Sequence, residues 1–312
     1  MNKVNLAIVI PAYKIDYFQC VLESLSKQTN KNFNVYIGID ASDADFESVI
    51  GKYEDTINVF CKRFEENLGG KDLVAQWNRC LNLIQDEEWI WLFSDDDIMS
   101  ENCVELFYQE IEKGSHFDLY HFNVDVIDEK NCVIKKTKAY PDILSAVSFL
   151  KQKNAAKLDS FVVEYIFRRS AFEQIGGFQH FDMAWGTDIA TWSKLGRAKG
   201  IKTINGAKVL WRESGLNITP TKAMPVLLRK LSANVCFLNW CRESFDEIKE
   251  WDTYYYMFRI LFHYSPYINR KDFVKTIKPF YYSTFLGKMI YCLIYSCNPI
   301  FRPIHRLIHL KK

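Results

Sequence analysis

Apolar and polar positions alternate in two styles along the chain. Residues 6–10 are a wholly apolar, β-branched run that stops at Pro11, which cannot donate in a sheet interior, so a first strand is expected to end there. Phe18, Val21, Leu22 and Leu25 then recur at helical spacing over a polar face of Gln19, Glu23 and Lys27. Residues 33–39 and 57–61 read as further strands, and Leu73, Val74, Trp77, Leu81 and Ile84 share one face of a helix. Residues 102–113 predict another helix. The period changes to two over 117–127 and 161–167, which predicts strands with one wetter face. Phe172, Ile175 and then Gly176-Gly177 give a short helix with a glycine stop. A loop with Asp182, Trp185, Gly186 and Asp188 leads to a helix expected to reach about Lys199.

The pattern is organised around residues 89–99, WIWLFSDDDIM. The apolar run with almost no alternation reads as a strand buried on both faces, and three carboxylates appear at its carboxyl end, the edge where open α/β sheets bind ligands. In an extended segment residues two apart point the same way, so Asp95 and Asp97 are expected to converge while Asp96 faces elsewhere. A hard divalent cation offsets the repulsion between such carboxylates; a solvated acidic turn is the plainer alternative. Strands alternating with amphipathic helices up to residue 97 argue for a mostly parallel central sheet flanked by helices. A dinucleotide fold would want GxGxxG after the first strand, and Pro11-Ala12-Tyr13-Lys14 stands there instead.

At 312 residues, 48% hydrophobic and 25% charged, the chain is globular and long enough for one large domain with an appendage. Nine scattered cysteines without a CxxC pair point to free thiols in a reducing compartment. The opening apolar run is too short for a secretory segment, and no stretch offers the roughly 20 apolar residues of a spanning helix. The expected location is therefore cytoplasmic.

From about Thr219 the pattern becomes long helices dense in aromatics. No acidic residue follows Asp272, while Lys275, Lys278, Lys288, Arg302, Arg306, Lys311 and Lys312 are basic. Residues 273–312 can thus contact an anionic membrane surface, each cation near it contributing about 1 kcal/mol, which adds a peripheral inner-face location. Packing of these aromatics onto the main domain is the equal alternative. A catalytic domain over 1–218 and a helical, aromatic-rich, basic region over 219–312 are expected.

Five motifs in sequence resemble the inverting family 2 glycosyltransferases, whose catalytic domain has the GT-A fold. They are Ile8-Val9-Ile10-Pro11-Ala12-Tyr13; Asp40-Ala41-Ser42-Asp43-Ala44-Asp45; Asn67-Leu68-Gly69 with Trp77-Asn78-Arg79-Cys80-Leu81; the Asp triplet; and Ile175-Gly176-Gly177-Phe178 followed by Thr187-Asp188. The resemblance covers roughly the first 217 residues. It implies a Rossmann-like nucleotide-sugar-binding half, an acceptor half, and transfer of one sugar from a nucleotide-sugar donor, UDP-linked by default, to a glycan or lipid-linked acceptor. No nucleic-acid partner is implied.

By that resemblance Asp40 accepts from the nucleotide base, Pro11 and Tyr13 line the base or ribose, and Asn67 opens a nucleotide-contacting loop. Asp95 and Asp97 hold Mn2+ or Mg2+ against the diphosphate, with Asp96 also at the donor. Asp188 is the general base that takes the proton of the acceptor hydroxyl, Trp185 stacks on the acceptor sugar, and Arg212 is a phosphate partner in a late loop with Ser214 and Asn217. Plainer readings exist for each: Asp40 and Asp188 as caps, Asn67 as a turn residue, Tyr13 and Trp185 as packing, Arg212 in a surface ion pair. The chain departs from the family at Lys14, where asparagine is usual, at Ser94, where many relatives carry the first acid, and at Thr187, where glutamate is usual. A haloacid-type phosphatase wants Thr or Val where Met99 stands, a nucleotidyltransferase wants a glycine-rich opening loop, and a non-catalytic scaffold subunit has no need of Asp188.

Overall fold

The computed structural model describes residues 5–114, 116–215, 223–264, 267–282, 287–293 and 296. The expected boundary at 218/219, Asn217 and most of the basic tail, including Arg302 and Arg306, lie outside the described residues.

The first half is β1 (Leu6–Ala12), α1 (Phe18–Ser26), β2 (Asn34–Asp40), α2 (Phe46–Ile50), β3 (Asn58–Phe64), α3 (Leu73–Leu81) and β4 (Trp89–Leu92). There follow β5 (Ile98–Met99), α4 (Cys103–Glu112), β6 (Leu119–Ile127), β7 (Val133–Lys136), β8 (Ile143–Leu144), α5 (Ala146–Asn154), β9 (Tyr165–Arg168), α6 (Arg169–Gln174), α7 (Thr187–Leu195) and β10 (Ile201–Arg212). Three helices close the described chain: α8 (Met224–Ser244), α9 (Glu250–Tyr264) and α10 (Arg270–Tyr281).

All the strands form one sheet whose main path is β3-β2-β1-β4-β9-β6-β10-β5. The first four strands are parallel, as βαβ crossovers require. β9 then runs antiparallel between β4 and β6, so the sheet as a whole is mixed. Period two explains how β1 is buried on both sides. Leu6, Ile8 and Ile10 join α1 and α4 in one core, while Ala7 and Val9 join α3 and α7 in the other. Burying each large side chain such as Trp91 stabilises the fold by roughly 1.5–3 kcal/mol, and its indole N–H is satisfied by the Val163 carbonyl at 2.6 Å.

Four local expectations are corrected. β1 does not exit at Pro11: it runs to Ala12, with Pro11 opposite Gly38, because β4 leaves β1 after Leu92 and only β2 remains alongside. β6 has no wetter face; lying between β9 and β10 it is buried along nearly its whole length. The stretch 161–164 bends and β9 begins only at Tyr165. α7 stops at Leu195 rather than near Lys199.

The C-terminal helices share a core with the sheet domain. Leu231, Val235, Phe237 and Leu238 of α8 pack with Ala146 and Leu150 of α5, Phe181 and Ala190. α10 turns Phe273, Ile277 and Phe280 inward, which leaves Lys271 and Lys275 on its outer side. No helix among the described residues is long and apolar enough to cross a membrane. The eight described cysteines are all free.

Candidate active site

The chain turns sharply after β4. Ser94 makes this turn: its hydroxyl accepts the Asp97 N–H at 3.1 Å and donates to the Asp97 carboxylate at 2.5 Å. Ser94 is thus a turn former at the place where many relatives have an acid. The triplet bends there, and its three carboxylates are engaged unequally. Asp95 accepts the backbone N–H groups of Tyr13 and Lys14 on one oxygen, both at 2.7 Å. Asp97 is 1% exposed, with one oxygen on Ser94 and the other accepting the Arg212 N–H at 2.6 Å. Asp96 has only the Ser94 hydroxyl, at 3.1 Å, among the described residues.

Burial, and next the charge of Asp96, push the Asp95 carboxyl up to about 6 and the Asp97 carboxyl well above the usual carboxylate range. Among the described residues no three His, Cys, Asp or Glu side chains are grouped to hold a metal by themselves. That is compatible with a magnesium-like ion bound by one or two carboxylates plus substrate phosphates. The acceptors left open are Asp96 and the second oxygen of Asp95, and their all-oxygen character suits a hard cation.

Arg212 is a correction. It is fully buried, not a phosphate partner in a loop. Its guanidinium donates to the Asp96 carbonyl at 2.7 Å, the Asp128 carbonyl at 2.8 Å and the Asn131 side chain at 2.6 Å, and lies 4.2 Å over the Tyr17 ring. β5 pairs with Val209 and Leu210 just before it, which carries this arginine to the acidic turn. Arg212 therefore positions the triplet.

Asp40, at the end of β2, does not cap the turn that follows it. One oxygen accepts the Leu68 N–H and the Arg79 guanidinium, at 2.7 and 2.6 Å, and the other accepts the Gly69 N–H at 2.8 Å. A Cβ at Gly69 would lie 2.7 Å from that carboxylate, so glycine is what lets the loop close on it. Asn67 accepts the Gly70 N–H at 2.7 Å as a turn residue. Tyr13 is 51% exposed and its ring is not on the cleft wall; its contribution is the backbone N–H on Asp95. Pro11 and Lys14 do line the cleft.

That cleft, of about 460 Å³, is lined by Pro11, Lys14 and the Asp triplet and also by Trp185 and Asp188. Asp188 lies in the first turn of α7, and the residue at the N-cap is Gly186, not Asp188. The unpaired N–H groups of that turn favour a carboxylate, yet burial dominates and pushes Asp188 up to about 6, opposed first by the charge of Lys153. The loop before it is closely fixed. The Phe181 N–H bonds to the buried Thr187 hydroxyl at 3.1 Å, and Asp182 takes a two-pronged bond from Arg229 of α8 at 2.6 and 2.9 Å. Met183 and Ala184 both have positive φ, 60° and 57°, an unusual pair of left-handed non-glycine residues. Gly186 has φ 88°, and a Cβ there would lie 3.0 Å from the Phe237 ring of α8.

Sequence reasoning missed Lys153 on α5 and Glu164. The latter is 1% exposed, and burial raises it to about 8. Neither stands in a motif, and only the packing of α5 and the 161–164 bend against α7 brings their charges within reach of Asp188.

A family model described as Glycosyl transferase family 2 matches residues 7–176. No curated protein matches the chain by sequence. Solved structures similar to it include S. aureus TarS 1-349, at 13% identity over 99% of this chain and 92% of that one, with a TM-score of 0.65. The same TarS segment in complex with UDP-GlcNAc aligns at 13% identity over 96% and 89%, TM-score 0.57. GalNAc-T7 with UDP, GalNAc and Mn2+ aligns at 12% identity over 84% of this chain and 58% of that one, TM-score 0.51. At these identities the likeness is one of fold, the GT-A architecture.

Proposed function

Because this chain belongs to glycosyl transferase family 2, we propose that it moves a single sugar from a UDP-sugar to a hydroxyl of a glycan or lipid-linked acceptor, with inversion. The observation that carries this is the cleft itself, which both Asp188 and the triplet Asp95, Asp96 and Asp97 line. In this reading the acceptor O–H gives its proton to the Asp188 carboxylate as the oxygen bonds to the anomeric carbon. The bond from that carbon to the diphosphate oxygen breaks, and its electron pair leaves with UDP.

Asp96, helped by the second oxygen of Asp95, would hold Mg2+ or Mn2+, while Asp97 belongs to the scaffold. The cation supplies electrostatic neutralisation of the leaving diphosphate. Lys14, which lines the same cleft, adds positive charge near those phosphates. The choice of UDP draws support from TarS, whose structures include UDP-GlcNAc and UDP, and that of Mn2+ from GalNAc-T7, whose structure includes it. Asp40 and Asn67 order the loop beside the base, with Pro11 on the cleft wall below. The division into a catalytic part, 1–218, and a helical part, 219–312, is kept. The basic side of α10, where Arg270, Lys271, Lys275 and Lys278 border one hollow, supports a cytoplasmic protein held at an anionic membrane face.

A panel of nucleotide sugars with and without Mn2+, scored by thermal protection and nucleotide release, tests the reading. One UDP-sugar should raise Tm in a metal-dependent way. Protection by no nucleotide sugar would remove the proposal.

A further inference from the structure

Beyond Trp185 lies a second cavity of about 540 Å³ that shares Trp185, Asn234 and Tyr256 with the cleft. Its size is that of an ordinary small-ligand pocket, about 300–1,000 Å³. Its electrostatics are opposite to those of the donor end. Lys135, Lys153 and Arg259 face a single carboxylate, Asp159, with His263 beside them. Asp159 is already paired with Lys135 at 2.9 Å. Arg259 is on the exposed side of α9, and Lys153 comes from α5, so the two cations reach the cavity from different elements. Burial lowers the Lys153 pKa, while the fields of Asp188, Glu164 and Asp159 counter that and favour its charge.

A partly desolvated cation is costly unless an anion offsets the loss of water. A neutral sugar alone gains little from two cations, whereas a phosphate or carboxylate forms charge-assisted hydrogen bonds with both. Trp185, with the Lys230 ammonium 5.0 Å over its ring, and Tyr256 line the cavity with aromatic surface against which a sugar ring can pack. Resting on the glycosyltransferase reading, we propose that this cavity is the acceptor subsite and takes a sugar bearing an anionic substituent. Lys153 and Arg259 receive the anion, and the ring lies against Trp185 with a hydroxyl toward Asp188.

Ligand-observed NMR titrations of the full chain, saturated with UDP and Mn2+ to fill the donor end, would compare glucose, glucose 6-phosphate and glucuronate. At least one anionic sugar should bind about tenfold more tightly than glucose, and the two anionic arms tell phosphate from carboxylate. That preference should fall about fivefold in Arg259→Ala and in Lys153→Met, with UDP affinity unchanged in Arg259→Ala. Equal binding of all three sugars, binding of none, or a preference untouched by Arg259→Ala would overturn the subsite. Absence of UDP binding would instead remove the glycosyltransferase reading, and the acceptor role with it.

Discussion

The sheet edge and the start of α7 use aspartate in opposite ways. At the sheet edge Asp40 and Asp97 have both oxygens engaged by backbone N–H groups or neighbouring side chains, and they build the site. On α7, among the described residues, Asp188 has the N–H groups of its own helix turn near its carboxylate, with Lys153 acting through space. A carboxylate whose lone pairs are filled holds a loop in place; one left open is available to accept a proton or a cation. Asp96 falls with Asp188 on this criterion, and so does the second oxygen of Asp95, although Asp97 beside them is fully engaged.

Asp188→Asn breaks the comparison most severely. It should lower kcat by about 10² to 10⁴ with UDP affinity unchanged, measured by initial rates and calorimetry. An unchanged kcat would move the chemistry away from α7. Arg212→Met acts on the sheet edge: three acceptors lose a buried donor, so unfolding in urea should show a loss of about 3 kcal/mol. Full stability there would mean that the arginine does not hold the acidic turn. Gly186→Ala forces a left-handed alanine against Phe237 and should cost about 1–2 kcal/mol, seen as a lower Tm, with a larger loss in kcat than in UDP affinity.

The pH profile sharpens the contrast with the smallest effect. Asp188 accepts a proton only when ionised, so below about pH 6 the rate should fall about tenfold per unit and above it level off. Lys153 favours the ionised form, so Lys153→Met should shift this limb to higher pH. A profile flat from pH 5 to 8 would exclude Asp188 as the titrating base.

Much of the donor half was readable in the chain because its chemistry follows local rules. An apolar run must be a buried strand, strands joined by amphipathic helices must be parallel neighbours, and polar residues at strand ends must emerge at one edge. Which partners each acid of the triplet engages was not readable. The alternation rule holds for extended chain, and the Ser94 turn takes residues 94–97 out of that state. Arg212 was misread for a related reason: an arginine at the end of a sequence motif looks exposed until β5, pairing with β10, buries it. The helical side of the cleft was the least legible, since Lys153, Glu164 and Arg259 share no motif and no spacing.

The sequence by itself determined the alternation of strands and helices in the first half, the acids at its edge, the position of Asp188 after a glycine turn and the helical character of the C-terminal region. Those are matters of hydrophobic period and residue type, which act over a few neighbours. Tertiary structure alone decided which acids are engaged, that Arg212 is internal, and that α5, α8 and α9 wall a cationic cavity beside the cleft. Hydrogen-bond saturation, burial and through-space charge depend on contacts between residues distant in the chain, and no local pattern records them.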